Sequence, residues 1–129
     1  MEKWEAKPLI GVGKIKFGMT RDEVRNTLGL KFNEFKKSKY SKNTTDDFGV
    51  CHVFYDEDDK CEAVEIFDDI GVTVNGLEIF PDNIDNAMVA IKDLVKDDYG
   101  LISISQSVGI TVEAGKMEAI LFGKNGYYL

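Results

Sequence analysis

Two apolar-rich segments on either side of a short acidic turn constrain the fold of this chain most. Residues 50–55 and 61–67 are rich in the β-branched and aromatic residues typical of strands, and the turn 57–60 joins them. Their antiparallel pairing brings together residues whose numbers sum to 117. His52 then lies directly across from Glu65. The chain is therefore predicted to contain an antiparallel hairpin.

The same register keeps the two cysteines apart. Cys51 lies opposite Ile66, whereas Cys61 lies beside the turn, about five strand positions away, or roughly 16 Å at ~3.3 Å per residue. That separation is beyond the reach of a disulfide. His52 alone adds too few soft ligands for a structural zinc site. We therefore expect two reduced thiols.

Capping residues predict a first short helix. Thr20 and Glu23 form a capping box, in which the threonine hydroxyl accepts from the glutamate amide and the carboxylate reaches back. Val24 and Leu28 share one face, and Gly29 suits the left-handed position that ends a helix.

A second, longer helix is predicted from Asp82 or Asn83 to about Gly100. Its apolar positions follow the i, i+3, i+4, i+7 pattern: Ile84, Ala87, Met88, Ile91, Leu94 and Val95. The polar residues 31–47 are expected to form a long mobile connection. Further strands are predicted at 72–80, around an Asn-Gly turn, and at 101–105, 109–113 and 117–122.

Two short segments of similar sequence suggest a duplication. Residues 60–64 (KCEAV) resemble residues 116–120 (KMEAI), and each lies on the return strand of a hairpin that follows a helix. A tandem helix–strand–strand duplication, with halves of about 18–80 and 81–129, is one hypothesis. The predicted fold of 1–129 is a single α+β domain, with an antiparallel sheet of hairpins and two helices packed on one face.

The charge of −7 is unevenly distributed along the chain. Residues 1–44 contain eleven basic and five acidic residues (+6), residues 45–100 three and sixteen (−13), and residues 101–129 two of each. Such a field repels nucleic acid and anionic membranes and attracts basic proteins. No apolar run approaches the ~20 residues of a membrane span, and no signal-peptide core is seen, so a cytoplasmic location is expected.

The N-terminal helix region resembles known protein-binding domains. Residues 18–24 (GMTRDEV) and 28–29 (LG) resemble the G-M-T-x-x-E-V…L-G segment of BamE-like lipoproteins and of proteins like the beta-lactamase inhibitory protein. The resemblance implies a helix layer on an antiparallel sheet that binds a protein. The chain departs from the lipoproteins in having no signal peptide or lipidated cysteine. Residues 48–55, 62–67 and 126–128 also resemble small cytosolic bacterial proteins of the toxin-immunity kind.

Catalytic and ligand-binding motifs are incomplete. His52 and Glu65 form a candidate acid–base pair, but no nucleophile is placed in the same pattern. The acidic turn 56–59 lacks the spacing of a calcium loop, and residues 11–15 lack the first glycine and the Ser/Thr of a phosphate loop. No catalytic residue, metal or cofactor is therefore predicted.

The predicted function is a non-enzymatic protein-binding module, an immunity or inhibitor protein that neutralises a basic toxin such as a nuclease. The alternatives are a scaffold or accessory domain without a toxin partner and, third, a small enzyme that uses His52 and Glu65. Carboxylates speed the encounter with a basic partner, and aromatic anchors supply most of the affinity. The predicted partner-binding residues are Asp56, Glu57, Asp58, Asp59, Asp68, Asp69, Tyr55, His52, Glu65 and Tyr128. The partner's identity and the oligomeric state stay open.

Overall fold

The computed structural model describes residues 2–67 and 70–129. Among the described residues, strands make up 46% and helices 12%, arranged as two large sheets and two short helices. The predicted α+β fold, with one sheet beneath a helix layer, is therefore wrong. The protein is mostly β.

Short strands outnumber helices in the described part of the chain. The helices are α1 (Arg21–Leu28) and α2 (Ile84–Ala90). The strands are β1 (Glu2–Lys7), β2 (Gly11–Val12), β3 (Ile15–Lys16), β4 (Asn33–Phe35), β5 (Thr45–Asp47), β6 (Cys51–Tyr55), β7 (Cys61–Ile66), β8 (Ile70–Val74), β9 (Leu77–Phe80), β10 (Val95–Lys96), β11 (Gly100–Ser103), β12 (Val108–Glu113) and β13 (Lys116–Gly123).

The second sheet explains why the predicted fold class was wrong. The smaller sheet has the order β3-β2-β1-β8-β9, and the larger one β10-β11-β12-β13-β7-β6-β5-β4. In the smaller sheet β1 pairs in parallel with β8, so that Trp4 lies opposite Val72. Strand β1 alternates charged and apolar residues and is completed only by a segment almost seventy positions away, so local patterns did not reveal it.

One face of the larger sheet contributes about half of the residues in the hydrophobic core. Alternate positions of neighbouring strands form cross-strand rows, because successive side chains point to opposite faces. One such row comprises Cys51, Ile66, Ile120, Ile110 and Leu101, all buried. Buried residues of the smaller sheet and of both helices pack into the same core.

The first helix agrees with its sequence pattern. The capping box is complete, since the Thr20 hydroxyl accepts from the Glu23 amide at 3.2 Å and the Glu23 carboxylate accepts from the Thr20 amide at 3.1 Å. Gly29 ends α1 with φ 62°, in the left-handed region. Val24 is buried and attaches the helix to the core.

The second helix is shorter than predicted. Asn83 caps it, but the chain leaves the helical conformation at Ile91, which has φ −108° and ψ 114°. Ile91 and Leu94 are still buried, whereas Val95 lies on an exposed edge strand. The apolar spacing beyond residue 90 therefore reflects burial of Ile91 and Leu94 in a turn that leads into β10, rather than a continuing helix.

The connection 31–47 is also more ordered than predicted, because it contains two strands. Strand β4 pairs with β5, with Phe35 opposite Thr45, and β5 pairs with β6, with Asp46 opposite Val53. These pairings extend the larger sheet to its edge at β4.

The predicted hairpin register is confirmed from Cys51 to Phe54, whereas Cys61 lies opposite Tyr55 and not Asp56. His52 lies opposite Glu65, Cys51 lies opposite Ile66, and both cysteines are unpaired and buried. A register shift near the turn gives the return strand one extra residue, Glu62.

The second hairpin, β12–β13, contains the same irregularity. Its register shift places one extra residue, Glu118, in the return strand, 56 positions after Glu62. The two return strands, β7 and β13, are neighbours in the sheet, with Ile66 opposite Ile120 and Val64 opposite Phe122. The tandem duplication stays a prediction, and the matched bulges agree with it.

Candidate functional site

The acidic turn 56–59 was the first predicted partner-binding feature. Asp56 holds the turn together, since its Oδ1 accepts from the backbone amides of Asp58 at 2.9 Å and Lys60 at 3.1 Å. Its Oδ2 lies 3.5 Å from Lys124 Nζ. Burial tends to raise the pKa of Asp56, but these hydrogen bonds and the lysine charge outweigh it and lower the pKa. Asp56 therefore has a structural part in the turn.

Two further carboxylates of the turn are paired with cations. Glu57 Oε1 lies 2.6 Å from Lys42 Nζ, and Asp59 accepts three hydrogen bonds from the Arg21 guanidinium at 2.8–3.0 Å. Among the described residues, Asp58 is the one turn carboxylate without a cationic partner within 4 Å. Much of the turn's charge is thus neutralised within the molecule.

A buried carboxylate links α1 to the larger sheet. Asp46 is fully buried, and its Oδ1 accepts from Arg21 Nη1 at 3.0 Å and from Arg25 Nη2 at 2.8 Å. Its Oδ2 accepts from Arg25 Nε at 2.9 Å and from the Tyr55 hydroxyl at 2.9 Å. Burial alone would raise the pKa of Asp46, yet these donors and the two positive charges lower it.

The two arginines of this network also pack on aromatic rings. The guanidinium of Arg21 lies 4.1 Å from the centre of the Tyr55 ring, and that of Arg25 lies 4.0 Å from the centre of the Phe32 ring. Tyr55 is 6% exposed, so little of its side chain is accessible to a partner. Its location indicates a structural role.

His52 lies within an aromatic cluster, on the face of the larger sheet that is opposite to Asp46. The rings of Phe35 and Phe67 contact it edge-on, with centroid distances of 4.9 Å and 4.5 Å. Its Nε2 lies 3.6 Å from Asp47 and its Nδ1 3.9 Å from Glu65, which is longer than a hydrogen bond. His52 and Glu65 are therefore close neighbours, as predicted, but no hydrogen bond joins them.

The remaining predicted contact residues are distributed elsewhere. Tyr128 is half-buried and lies over Gly109 of β12, where a Cβ atom would overlap its hydroxyl. The other two, Asp68 and Asp69, lie outside the described residues. The structure thus separates the predicted set between the turn, the core and the outer sheet face.

A polar cleft of about 530 Å³ lies between the connection 37–45 and the acidic turn. Lys42 and Lys124 line it, but each is neutralised by a neighbouring carboxylate. The third lysine, Lys37, lies 4.4 Å from the centre of the Phe54 ring. Three lysines and four carboxylates line this cleft, so neither sign of charge dominates there.

The thiols and the acidic groups do not form a reactive centre in the described part of the chain. Burial raises the pKa of both Cys51 and Cys61 to about 12, which keeps these thiols protonated and unreactive. Residues 2–67 and 70–129 contain no group of three His, Cys, Asp or Glu side chains arranged to hold a metal ion.

A different surface combines unpaired acids with exposed apolar side chains. We call residues 82–99 the α2–β10 surface. It contains five aspartates and two lysines, a net charge of −3, and within the described ranges no ion pair within 4 Å involves any of the five. The aspartates are Asp82, Asp85, Asp93, Asp97 and Asp98. The exposed apolar or aromatic side chains are Met88 (48%), Val89 (77%), Val95 (58%) and Tyr99 (76%).

Hydrogen bonds fix the backbone of this surface. Asp97 Oδ1 accepts from the amides of Tyr99 at 2.9 Å and Gly100 at 2.8 Å, and the Tyr99 carbonyl accepts from Val112 at 2.9 Å. Asp93 accepts from the Ser105 hydroxyl at 2.7 Å. Tyr99 thus presents an exposed ring on an ordered backbone.

Sequence reasoning did not single out this surface. Met88 and Val95 were assigned to a buried helix face, because the predicted helix extended beyond residue 90. Two signals were present: the acidic excess of residues 45–100, and the location of Val89 off the apolar stripe of α2.

Comparison of the chain with protein-family models, curated proteins and solved structures gives no match. Neither helix of the described residues has the length and apolar character needed to cross a membrane.

Proposed function

We propose that this protein is a non-catalytic binding module that neutralises a basic protein, as an immunity or inhibitor protein does. The observation that carries the proposal is the acidic charge left uncompensated on the surface. The predicted turn loses much of its charge to internal ion pairs, whereas five aspartates of residues 82–99 have no cationic partner among the described residues. Exposed unpaired carboxylates attract a basic partner and repel nucleic acid.

Further features support binding rather than chemistry. Asp46 serves to hold two arginines, the two cysteines are buried with raised pKa values, and His52 packs among aromatic rings. We assign the function to the cytoplasm, where two unpaired thiols are the usual state.

Affinity capture followed by co-expression tests the function. The tagged full chain is used to capture partners from a lysate of its own organism, and each captured protein is expressed alone and together with this chain. We expect a basic protein whose expression alone stops growth and whose toxicity is relieved by co-expression. A basic partner that harms nothing would support the scaffold alternative, and capture of acidic proteins alone would refute the proposal.

Salt dependence provides a second measurement on the purified pair. The association rate is expected to fall steeply between about 50 mM and about 500 mM salt, while the dissociation rate changes less. An association rate that is independent of salt would contradict the role of the acidic surface.

A further inference from the structure

We infer that the α2–β10 surface is where the basic partner docks, with Tyr99 and Val89 as its anchors. This inference rests on the proposed function and places its binding site away from the turn 56–59. The acids attract the partner and the apolar groups supply the affinity, so the occupant is a protein segment that combines Lys or Arg with apolar side chains.

The unpaired carboxylates favour the α2–β10 surface over the turn 56–59 as the docking site. At the turn, Asp56, Glu57 and Asp59 each face a cation within 4 Å, and a partner would have to displace Lys124, Lys42 or Arg21 to reach them. Among the described residues, none of the five aspartates of residues 82–99 has a cationic partner within 4 Å. A basic partner gains ion pairs there without breaking existing ones.

The exposed apolar side chains supply most of the binding affinity, which charges alone do not provide. Exposed ion pairs contribute ~0–1 kcal/mol each, and most of the affinity of an interface comes from a few buried aromatic or apolar anchors. Tyr99 is 76% exposed, while its backbone is fixed by two hydrogen bonds: its amide donates to the Asp97 carboxylate, and its carbonyl accepts from the Val112 amide. An anchor on a fixed backbone loses less conformational entropy when a partner covers it.

The dimensions fit a single interface. Val89 and Val95 are six positions apart in the chain, so their Cα atoms are at most ~22 Å from each other even if the intervening chain is fully extended. Val95 lies on β10, and Tyr99 lies in the tight turn that joins β10 to β11. A standard interface covers ~800 Å² and 20–30 residues per partner, which accommodates residues 82–99 and their neighbours.

Site-specific photo-crosslinking tests the location. Tyr99 and Val89 are each replaced by p-benzoylphenylalanine in the full chain, with Tyr40 and Asp58 replaced as controls. Tyr40 is a matched control, because it is an equally exposed tyrosine (81%) in the connection between β4 and β5. The variants are irradiated in the lysate used for affinity capture, and the products are identified by mass spectrometry.

We expect the probes at positions 99 and 89, and not those at 40 and 58, to link to the basic protein that the wild type captures. Links from position 40 or 58 alone, or links to a second copy of this chain, would overturn the inference and leave the proposed function in place. Capture without a link from any position would also overturn it. If nothing is captured and nothing is linked, the proposed function itself fails.

Affinity measurements on the purified partner complete the test. Tyr99→Ala should weaken binding by ~10-fold or more, whereas Tyr40→Ala should change it less than ~2-fold. Asp85→Asn with Asp98→Asn should slow association and reduce its salt dependence, compared with Asp58→Asn. Equal effects of the two tyrosine variants would contradict the assignment of Tyr99 as an anchor.

Discussion

Replacing Asp46 by asparagine is expected to lower the free energy of unfolding at pH 7 by about 2–4 kcal/mol. Asp46 is fully buried and accepts four hydrogen bonds, three of them from the guanidinium groups of Arg21 and Arg25. Asparagine keeps the shape of the side chain but presents an NH₂ group where one carboxylate oxygen accepted two of these bonds. It also removes the charge that compensates two arginines.

The magnitude follows from the bonds lost and the partners that remain. Hydrogen bonds to charged groups contribute ~1.5–3 kcal/mol each, so the loss of two would cost about 3–6 kcal/mol if nothing compensated. Arg21 keeps Asp59, and Arg25 keeps Glu34, as exposed partners. These pairs reduce the cost to the expected range, which corresponds to a fall in melting temperature of roughly 10 °C.

The pH dependence gives the prediction a second signature. The pKa of Asp46 is lowered in the folded protein, so its contribution is complete above the pKa of the unfolded chain, which is about 3.9. The contribution is lost as the pH falls toward the folded-state pKa. The wild type should therefore lose its stability advantage over the variant progressively as the pH falls below about 5.

Urea denaturation at pH 7 and pH 3.5 measures both effects. Asp59→Asn is the matched control, because it removes the half-exposed partner of Arg21 and should cost no more than ~1 kcal/mol. A cost below about 1 kcal/mol for Asp46→Asn, with the same pH dependence as the wild type, would refute the structural role of the network.

Three other predictions concern the core and the sheet. Cys51 and Cys61 should both react with a thiol reagent after denaturation without reductant, and resist it in the folded protein; a yield of zero free thiols would contradict the strand register. Ile91→Asp should cost several kcal/mol in urea denaturation, because it buries an unpaired charge, and unchanged stability would contradict its burial. Gly100→Ala should lower the free energy of unfolding more than Gly115→Ala. Both glycines have positive φ, but only at Gly100 would the new Cβ overlap backbone atoms of β12. Equal losses for the two variants in urea denaturation would show that the sheet relaxes at Gly100.

Local patterns predicted those elements whose partners are near in sequence. The capping box of Thr20 and Glu23, the C-terminal Gly29 and the pairing of His52 with Glu65 all depend on residues within about fifteen positions of one another. Each also has a specific local signature, such as a hydroxyl at an N-cap or two strand-forming segments around a short turn. These are the features that the structure confirms.

The end of α2 was not predictable in this way. The apolar spacing continues through Leu94, and Ile91 and Leu94 are buried, but they lie in a turn that follows the helix. The Ser103 hydroxyl donates to the Lys92 carbonyl, and Val95 pairs with Ile102 of β11. These contacts come from a strand about ten positions further along the chain, and they outweigh the helical preference of the sequence.

For the candidate site, the sequence by itself determined how many acidic residues the chain has and which segment contains them. The tertiary structure decided which of these carboxylates are left without a cationic partner. Asp46 and Asp59 belong to the same acidic middle segment as Asp98. Folding brings Arg21, from the basic N-terminal segment, against the first two, so that they stabilise the fold. Asp98 stays on a surface where no such cation approaches among the described residues. Ion pairing depends on distance in space, and the distances between segments so far apart in the chain are set by the sheet topology.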